Sequence, residues 1–214
     1  MSQAAQLYGI QKKDLPKVGA VLADAFYSDP LWLKLLEGVS RARSDRIVSA
    51  LYESSIRYCL RYGEGYATSQ DLEGVIGWVP GDVASMTFGR QMRSGAFIKG
   101  MKAVALLGGR SRMALRALAP VPQARQANMK ERPFIYLQVL GVATGLQGRG
   151  FGGELLGALV ERSDQTGIPL YTETTLDEAV GVYERHGFTV INQIALPVVD
   201  VPLWEFLREP SANT

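Results

Sequence analysis

The stretch FIYLQVLGVATGLQGRGF, residues 134–151, decides the fold that we predict for this chain. Residues 134–142 are nearly all apolar or β-prone, as expected of a strand that is covered on both faces. A glycine-rich loop follows, and from Glu154 the apolar residues recur with a helical period. Glycines let a backbone approach a ligand closely, and the free N–H groups of a first helical turn favour a phosphate. The stretch therefore predicts a strand, a loop and a helix that together bind an anionic group.

The loop carries a spacing of residues that is similar to a family motif. Gln147, Gly150 and Gly152 fit the pattern Gln/Arg-x-x-Gly-x-Gly/Ala, so the stretch resembles motif A of the GNAT superfamily of acetyl-CoA-dependent N-acetyltransferases. The resemblance implies that acetyl-CoA lies against the strand, near residues 140–142. These three strand residues are Leu140, Gly141 and Val142. It also implies that the pyrophosphate lies on the loop, which consists of Gln147, Gly148, Arg149, Gly150, Phe151, Gly152 and Gly153.

A second family signature follows near the end of the chain. The spacing Ala179-x-x-x-Tyr183-x-x-x-Gly187-Phe188 resembles the GNAT pattern Ala-x-x-x-Tyr-x-x-x-Gly-Phe. The surrounding residues are similar to the puromycin N-acetyltransferase-like branch. In the family this tyrosine points its hydroxyl at the sulfur of coenzyme A, which implies that role for Tyr183. Leu176 stands where the family often has an asparagine that contacts the pantetheine arm, and this contact is in doubt.

Other classes of protein fit parts of the same stretch. Gly148, Gly150 and Gly153 match the dinucleotide fingerprint Gly-x-Gly-x-x-Gly, and Glu173 lies about 20 residues further on. Against a nicotinamide-dependent oxidoreductase, residues 143–146 separate the strand from the glycines, and few residues are left for the further βα units that such folds need. A non-catalytic acyl-CoA-binding sensor, and a glycine-rich helix start without any ligand, also stay open.

Composition sets the broad class. The chain has 214 residues, of which 47% are hydrophobic and 21% charged, as in ordinary soluble globular proteins. A net charge of +2 is too small to argue for nucleic acid. Cys59 is the single cysteine, so a buried inert thiol is expected rather than a disulfide or a metal cluster. The absence of an apolar leader and of a run of about 18 apolar residues predicts a cytoplasmic protein without a membrane span.

The order of predicted elements gives the fold class. A strand, two helices separated by a break at residues 27–30, a further helix and a hairpin precede the central strand. After the glycine loop and its helix we predict a short strand at residues 170–174, a helix at residues 178–185, and two last strands at residues 188–196 and 199–204. This is the order that the GNAT fold would show, and the resemblance implies one mixed α/β (α+β) domain over residues 1–214, with a mostly antiparallel sheet flanked by helices.

Residues 83–132 form a helical insert of two or three helices, with breaks near Gly108 and Pro120. Between Gly81 and Pro133 ten basic residues face two acidic ones, a net charge of +8. This basic surface could be a solvated helical face, a lid over the anionic cofactor or an acidic acceptor, or a contact surface for a membrane or nucleic acid. The apolar side of the insert could pack on the core, on an acceptor or on a second subunit in a homodimer.

Acetyl transfer from a thioester to an amine defines the remaining candidate residues. Backbone N–H groups at residues 140–142 could polarise the thioester carbonyl, and Gly141 suggests a bulge there. Tyr183 would stabilise the leaving sulfur. Glu173 is the first candidate for the base, acting through a water, although it could instead bind the acceptor or be structural. His186 lies at a helix C-terminus, where a cation is favoured for structural reasons.

The acceptor amine is expected to lie among polar and aromatic side chains. Tyr27 and Trp32 flank the junction of the first two helices, which in the family borders the acceptor site. Both could equally be core aromatics. Tyr136 and Gln138 are the polar side chains of the central strand and are predicted to share a face. The sequence thus predicts an N-acetyltransferase that acts on a small-molecule amine.

Overall fold

A seven-stranded sheet organises the computed structural model, which describes residues 6–130 and 132–211. The strands in chain order are β1 (Tyr8–Gly9), β2 (Glu64–Ala67), β3 (Gly74–Pro80), β4 (Ile135–Val142), β5 (Leu170–Thr174), β6 (Thr189–Leu196) and β7 (Val201–Arg208). The spatial order is β1-β2-β3-β4-β5-β7-β6, and every pair is antiparallel except β4 with β5. The predicted fold class is therefore confirmed. Among the described residues, no helix is both long and apolar enough to cross a membrane.

Nine helices of the described chain surround this sheet. They are α1 (Leu15–Ala25), α2 (Pro30–Leu35), α3 (Arg41–Tyr62), α4 (Phe88–Ser94), α5 (Ala96–Leu107), α6 (Arg110–Leu118), α7 (Pro120–Met129), α8 (Phe151–Thr166) and α9 (Asp177–Arg185). Helix α8 packs on one face of the sheet, where Leu155 and Leu159 contact Ile76 and Leu137. Helices α1 and α3 cover the other face. One face of β4 is therefore covered by α8 and the other by α1 and α3.

Strands β4 and β5 part soon after they begin. Their ladder consists of two pairs, Ile135 with Leu170 and Tyr136 with Tyr171. The next contact is made by a side chain, because the Thr172 hydroxyl donates to the Leu137 carbonyl over 3.1 Å. Beyond that point the edge of β4 that faces β5 is left without a strand partner. Unpaired backbone groups need other partners, so this gap is a natural place for an extended ligand.

Gly141 serves helix packing rather than a bulge, and the predicted bulge there is wrong. The register irregularity lies at Gly77 and Trp78 of β3, opposite residues 137–139 of β4. A Cβ at Gly141 would lie 2.8 Å from Leu22 Cδ2 and 3.2 Å from Phe26 Cε2. Glycine is needed here because α1 approaches the central strand closely.

The insert forms four helices, α4 to α7, where two or three were predicted. Gly95, with φ of 72°, ends α4 and leads directly into α5, a break that the sequence reading missed. Pro120 begins α7 instead of only ending a helix, because a proline at the first helical position loses no hydrogen bond. The insert lies on α3, where the Ser54 hydroxyl donates to the Ala96 carbonyl and Lys99 pairs with Glu53.

The end of the chain also differs from its prediction, which placed the last strand at residues 199–204. Strand β7 runs from Val201 to Arg208. Two buried charged residues, Glu205 and Arg208, obscured the alternating pattern. Arg208 pairs with Asp164 of α8 at 2.8 Å, which satisfies its charge inside the fold.

Replacement of Gly63 by alanine should destabilise the fold. Gly63 follows α3, and a Cβ there would lie 2.1 Å from the carbonyl oxygen of Trp78. The obstacle is the backbone of β3, which cannot rotate away as a side chain can. We expect Gly63→Ala to cost about 3 kcal/mol of unfolding free energy, measured by thermal and urea unfolding.

Gly109 provides the matched control for this substitution. It has φ of −59°, and a Cβ there meets nothing within 4 Å. Gly109→Ala should leave stability unchanged within about 0.5 kcal/mol. Equal unfolding midpoints for both variants would contradict the packing described for Gly63.

Candidate active site

The glycine loop begins α8 in a conformation that leaves its surface open. Gly148 and Gly150 have φ of 75° and 94°, the left-handed region that suits glycine. A Cβ at either residue would meet nothing within 4 Å. Gly150 is the N-cap of α8, so the free N–H groups of a 16-residue helix lie beside it. An open loop with positive φ at a helix N-terminus fits a phosphate group.

The loop is fixed to the end of β4 and to α1. Gln147 donates through Nε2 to the carbonyl of Val142, the last residue of the strand, over 3.2 Å. The backbone N–H and the hydroxyl of Thr144 donate to the side chain and the carbonyl of Asp24, at 2.8 and 2.9 Å. The Gln147 side chain is therefore hydrogen-bonded to the strand, and the backbone of the loop remains available to a ligand.

The remaining predicted loop residues differ in their surroundings. Arg149 is exposed, and its Cζ atom lies 5.7 Å from the Phe151 ring. Gly152 lies against Val142, with its Cβ position 3.5 Å from Val142 Cγ2. Gly153 gives room to His186, whose Nε2 lies 3.6 Å from the Cβ position. The loop and the end of β4 thus form one surface.

His186 lies on the loop side of the sheet. Its Nδ1 atom is 2.8 Å from the Val182 carbonyl, and because a carbonyl accepts, Nδ1 carries the hydrogen. Nε2 then faces Gly153, in the first turn of α8. The His186 ring therefore packs against the first turn of α8.

Tyr183 reaches the point at which β4 and β5 part. Its ring is buried against Phe188 and Phe206, with centroids 5.4 and 5.1 Å away. Its hydroxyl lies beside Thr172, the residue that bridges the two strands. Burial raises the pKa of Tyr183 to about 12, so the hydroxyl keeps its proton at neutral pH and is available as a donor.

Glu173 lies on the opposite side of β5 and is held in an ion pair. Successive strand residues point to opposite faces, so Thr172 faces Tyr183 while Glu173 faces the insert. The Nε and Nη2 atoms of Arg125 contact Glu173 Oε1 at 3.0 and 2.9 Å. Tyr136 is a further hydrogen-bond partner of Glu173. Burial raises the pKa of Glu173, and Arg125 acts in the opposite direction.

A second buried carboxylate lies next to this pair. Glu205 of β7 is opposite Glu173 in the ladder and is fully buried. It accepts hydrogen bonds from the Tyr171 hydroxyl and from Asn192 Nδ2. Its negative charge helps to raise the pKa of Glu173. The face of β5 towards the insert is therefore strongly polar.

The junction of α1 and α2 brings the predicted acceptor residues Tyr27 and Trp32 together. Both line a cavity of about 210 Å³. Tyr27 lies beneath the Arg41 guanidinium, at 3.4 Å from ring centroid to Cζ, and Trp32 donates to the Tyr52 hydroxyl over 3.1 Å. The two predicted residues on β4 are held elsewhere. The Tyr136 hydroxyl accepts a hydrogen bond from Arg125 Nη2 over 3.2 Å.

Gln138 has sulfur atoms as neighbours. Its Oε1 atom accepts from the thiol of Cys59 at 3.5 Å, and its Nε2 atom lies 3.2 Å from Met86 Sδ. Sulfur is a weak hydrogen-bonding atom, so this amide is only weakly engaged. Cys59 is buried and burial raises the pKa of its thiol, as expected of an inert cysteine.

Asp29 connects the acceptor side to β5, and the sequence reading missed it. It caps α2 by accepting from the Leu31 N–H at 2.8 Å. Its two carboxylate oxygens also accept from the Thr175 hydroxyl at 2.9 Å each. Burial raises its pKa. An aspartate before Pro30 at a helix start was the available signal, and it was read only as a helix break.

Arg125 is the other residue that sequence reasoning missed. It was counted among the ten basic residues of the insert, and no local pattern separates it from the other nine. A larger cavity of about 880 Å³ lies beside it, between the end of β3, α7 and the last turn of α8. This cavity is at the opposite end of α8 from the glycine loop and does not mark the predicted cofactor site. Among the described residues, no group of three metal-binding side chains is present.

These features define a class of protein. In the described part of this sheet, only β4 and β5 pair in parallel, and all the other pairs are antiparallel. This excludes a dinucleotide-binding oxidoreductase, whose sheet is mostly parallel. A central strand that parts from its neighbour, with an open glycine loop behind it and a buried tyrosine at the parting point, is the arrangement of an N-acetyltransferase.

Comparison with known proteins agrees with this class. The Acetyltransferase (GNAT) family model matches residues 102–188. An uncharacterized N-acetyltransferase of Schizosaccharomyces pombe is 27% identical over 211 residues, which cover 96% of this chain and 83% of the relative. These matches support a GNAT superfamily N-acetyltransferase.

Solved structures share the fold over nearly the whole chain. A Corynebacterium glutamicum protein described as a histone acetyltransferase and related acetyltransferase has a TM-score of 0.64, with 20% identity and 98% of each chain covered. A Drosophila melanogaster polyamine N-acetyltransferase that forms N-acetylagmatine has a TM-score of 0.57, with 14% identity over 95% of this chain and 98% of that one. At these identities the likeness concerns the fold alone.

Proposed function

We propose that this protein transfers the acetyl group of acetyl-CoA directly to a primary amine of a small molecule. The observation that carries the proposal is the buried hydroxyl of Tyr183 at the point where β4 and β5 part, on the same side of the sheet as the open glycine loop. The GNAT family generally uses acetyl-CoA. The amine acceptor of the Drosophila relative, agmatine, is an example of the acceptor class.

The residues of this chain fit acetyl-CoA along β4 and the loop. The free edge of β4 at residues 140–142 offers backbone groups to an extended chain. The N–H groups at Gly150 and Gly152 suit its pyrophosphate. The bound cofactor would supply an acetyl thioester, and its carbonyl would be polarised by backbone N–H groups of the same strand edge.

Tyr183 would serve the leaving group. Attack by a neutral amine breaks the bond between the carbonyl carbon and the sulfur, and negative charge develops on the sulfur. A tyrosine with a pKa near 12 is too weak an acid to protonate a thiolate whose thiol has a pKa of about 8.5. Tyr183 therefore acts by donating a hydrogen bond to the sulfur without giving up its proton.

Glu173 would take the proton of the amine through a water. Its side chain lies on the acceptor face of β5, one residue beyond Thr172. Burial raises its pKa above the ordinary carboxyl range, which makes it a better proton acceptor than an exposed glutamate. Tyr136 and Gln138 would line the acceptor beside Glu173, and Tyr27 and Trp32 would line it at the separate junction of α1 and α2.

Two measurements test the proposal. Isothermal calorimetry should show binding of acetyl-CoA and coenzyme A, with NADH as the control ligand. Thiol release across a panel of primary amines should then identify acceptors. Acetyl-CoA binding without acetylation of any amine in the panel would instead support an acyl-CoA-binding sensor. NADH binding without acetyl-CoA binding would overturn the proposal.

Glu173→Gln should lower kcat/KM for the amine about 100-fold at neutral pH. Because the wild-type base must be ionised, activity should fall as the pH drops through the raised pKa of Glu173, and the variant should lack this acid limb. The acceptor amine titrates as well, so two acceptors of different amine pKa are compared. A limb that stays fixed when the acceptor changes belongs to Glu173. If the variant keeps that limb, another group is the base.

A further inference from the structure

Arg125 of the helical insert contacts Glu173, the proposed base. We propose that Arg125 of α7 is a positioning residue that holds the Glu173 carboxylate, ionised and oriented, beside the parting of β4 and β5. The insert would then be part of the catalytic machinery and not only a basic surface. This inference rests on the proposed function, in which Glu173 accepts the proton of the amine.

Three parts of the fold hold the Arg125 guanidinium. It contacts Glu173 of β5, as described, and its Nη1 atom donates to the Ala84 carbonyl, in the segment that follows β3, over 3.4 Å. Nη2 also donates to the Tyr136 hydroxyl over 3.2 Å, and Cζ lies 3.8 Å from the centroid of the Tyr136 ring. A planar guanidinium with contacts on several sides is fixed in orientation, and so is the carboxylate that it binds.

Burial distinguishes Arg125 from the rest of the basic insert. The side chains of Arg125 and Glu173 are 9% and 5% exposed. Of the other nine basic residues between Gly81 and Pro133, seven are exposed, and Arg90 and Lys99 are half-buried. A solvated helical face explains the exposed residues but not a buried arginine, because burying a charge is costly unless it is paired.

The charges around Glu173 make Arg125 decisive for its ionisation. Burial and the neighbouring Glu205 favour the neutral carboxyl, whereas Arg125 and the Tyr136 hydroxyl favour the carboxylate. The titratable groups that interact electrostatically with Glu173 are Arg125, Tyr136, Tyr171 and Glu205 on its own face of the sheet, and Tyr183 from the other face. Arg125 is the cation of this set. Without it, two carboxylates would share a buried face with no positive charge to balance them.

The test is a pH profile of Arg125 variants. In Arg125→Met the acid limb of kcat/KM should move to higher pH by at least about one unit, because the neutral carboxyl is then favoured. Arg125→Lys keeps the positive charge but loses the planar guanidinium and its several hydrogen bonds. The acid limb of its kcat/KM profile should therefore lie between those of the wild type and Arg125→Met. The KM for acetyl-CoA should not change. A role in folding alone would lower the activity at every pH and leave the limb in place.

Controls separate this inference from the proposed function. Arg112→Met removes an exposed arginine of the same insert and should leave the profile unchanged. In a Glu173→Gln background, Arg125→Met should not change the pH profile of kcat/KM any further. Carboxyl-carbon NMR of glutamate-labelled protein, with Glu173→Gln to assign the signal, follows the same titration without any activity.

The outcomes are distinct. A higher titration midpoint for Glu173 in Arg125→Met by NMR, together with the shifted kinetic limb, supports the inference. If Arg125→Met folds and the titration midpoint of Glu173 is unshifted in it, the inference is overturned. If Arg125→Met does not fold, an unshifted Glu173 midpoint in Arg125→Lys overturns the inference. Failure of the wild type to acetylate any amine would overturn the proposed function instead, and it would leave the NMR result to decide whether Arg125 controls the charge of Glu173.

Discussion

Gly150→Glu should weaken acetyl-CoA binding by at least about 100-fold while the protein stays folded. The φ of 94° at Gly150 strains any other residue by about 1–3 kcal/mol, which a domain of ordinary stability survives. The new carboxylate would lie where the pyrophosphate is expected. Two like charges 4 Å apart near a protein surface repel by about 4 kcal/mol, more than the roughly 2.7 kcal/mol that a 100-fold loss requires.

The other end of the same helix provides the control. Gly167 follows α8, has φ of 68°, and also has nothing within 4 Å of its Cβ position. Gly167→Glu therefore has a similar backbone strain and the same added charge, but it lies at the opposite helix end. Calorimetry should show wild-type coenzyme A affinity for Gly167→Glu, with thermal unfolding to compare stabilities. Gly150→Gln separates crowding from charge. Equal affinities for Gly150→Glu and the wild type would mean that the loop does not bind the pyrophosphate.

The glycine loop could be predicted because its chemistry is local. A strand, a glycine-rich loop and a helix follow each other within residues 134–166, and the preferences of these residues do not depend on distant partners. The same holds for β5, which was predicted at its observed bounds, Leu170–Thr174. Local order also placed Tyr183 on a helix after that strand.

Long-range contacts could not be read from the sequence. Arg125 and Glu173 are 48 residues apart, and Asp29 and Thr175 are 146 apart. Nothing in the neighbourhood of Arg125 distinguishes it from Arg112 or Arg116 until α7 is packed against β5. Gly141 shows the same limit, since a strand glycine indicates a bulge or a close approach equally well, and only the position of α1 decides between them.

The parting of β4 and β5 places the two proposed catalytic groups on opposite sides of one gap. Thr172 and Glu173 are consecutive in β5, so one faces Tyr183 and the loop while the other faces Arg125 and the insert. A thioester that enters from the loop side and an amine that enters from the insert side would meet where the strands part. In the proposed mechanism, leaving-group stabilisation and proton removal would thus lie on opposite faces, and each could be tested by its own substitution.

Tyr183→Phe should lower kcat about 100-fold and leave acetyl-CoA affinity unchanged. The ring and its contacts with Phe188 and Phe206 are kept, and only the hydroxyl beside Thr172 is lost. A hydrogen bond to a charged group contributes about 1.5–3 kcal/mol, and the upper part of this range corresponds to the expected loss. Because the pKa of Tyr183 is near 12, proton transfer to a thiolate would be uphill by about 5 kcal/mol. The wild-type kcat should therefore show no alkaline limb from Tyr183 below about pH 10.

Tyr66→Phe is the matched control for this substitution. Tyr66 packs on the same core, burial also raises its pKa to about 12, and its hydroxyl donates to Glu64 over 2.7 Å, away from the gap. Loss of this hydroxyl should not change kcat. Steady-state kinetics of both variants, with calorimetry for acetyl-CoA, distinguish the roles. If Tyr183→Phe loses affinity in proportion to turnover, the hydroxyl contributes to binding; if neither changes, Tyr183 is only a core residue, and the thiolate is stabilised by another group.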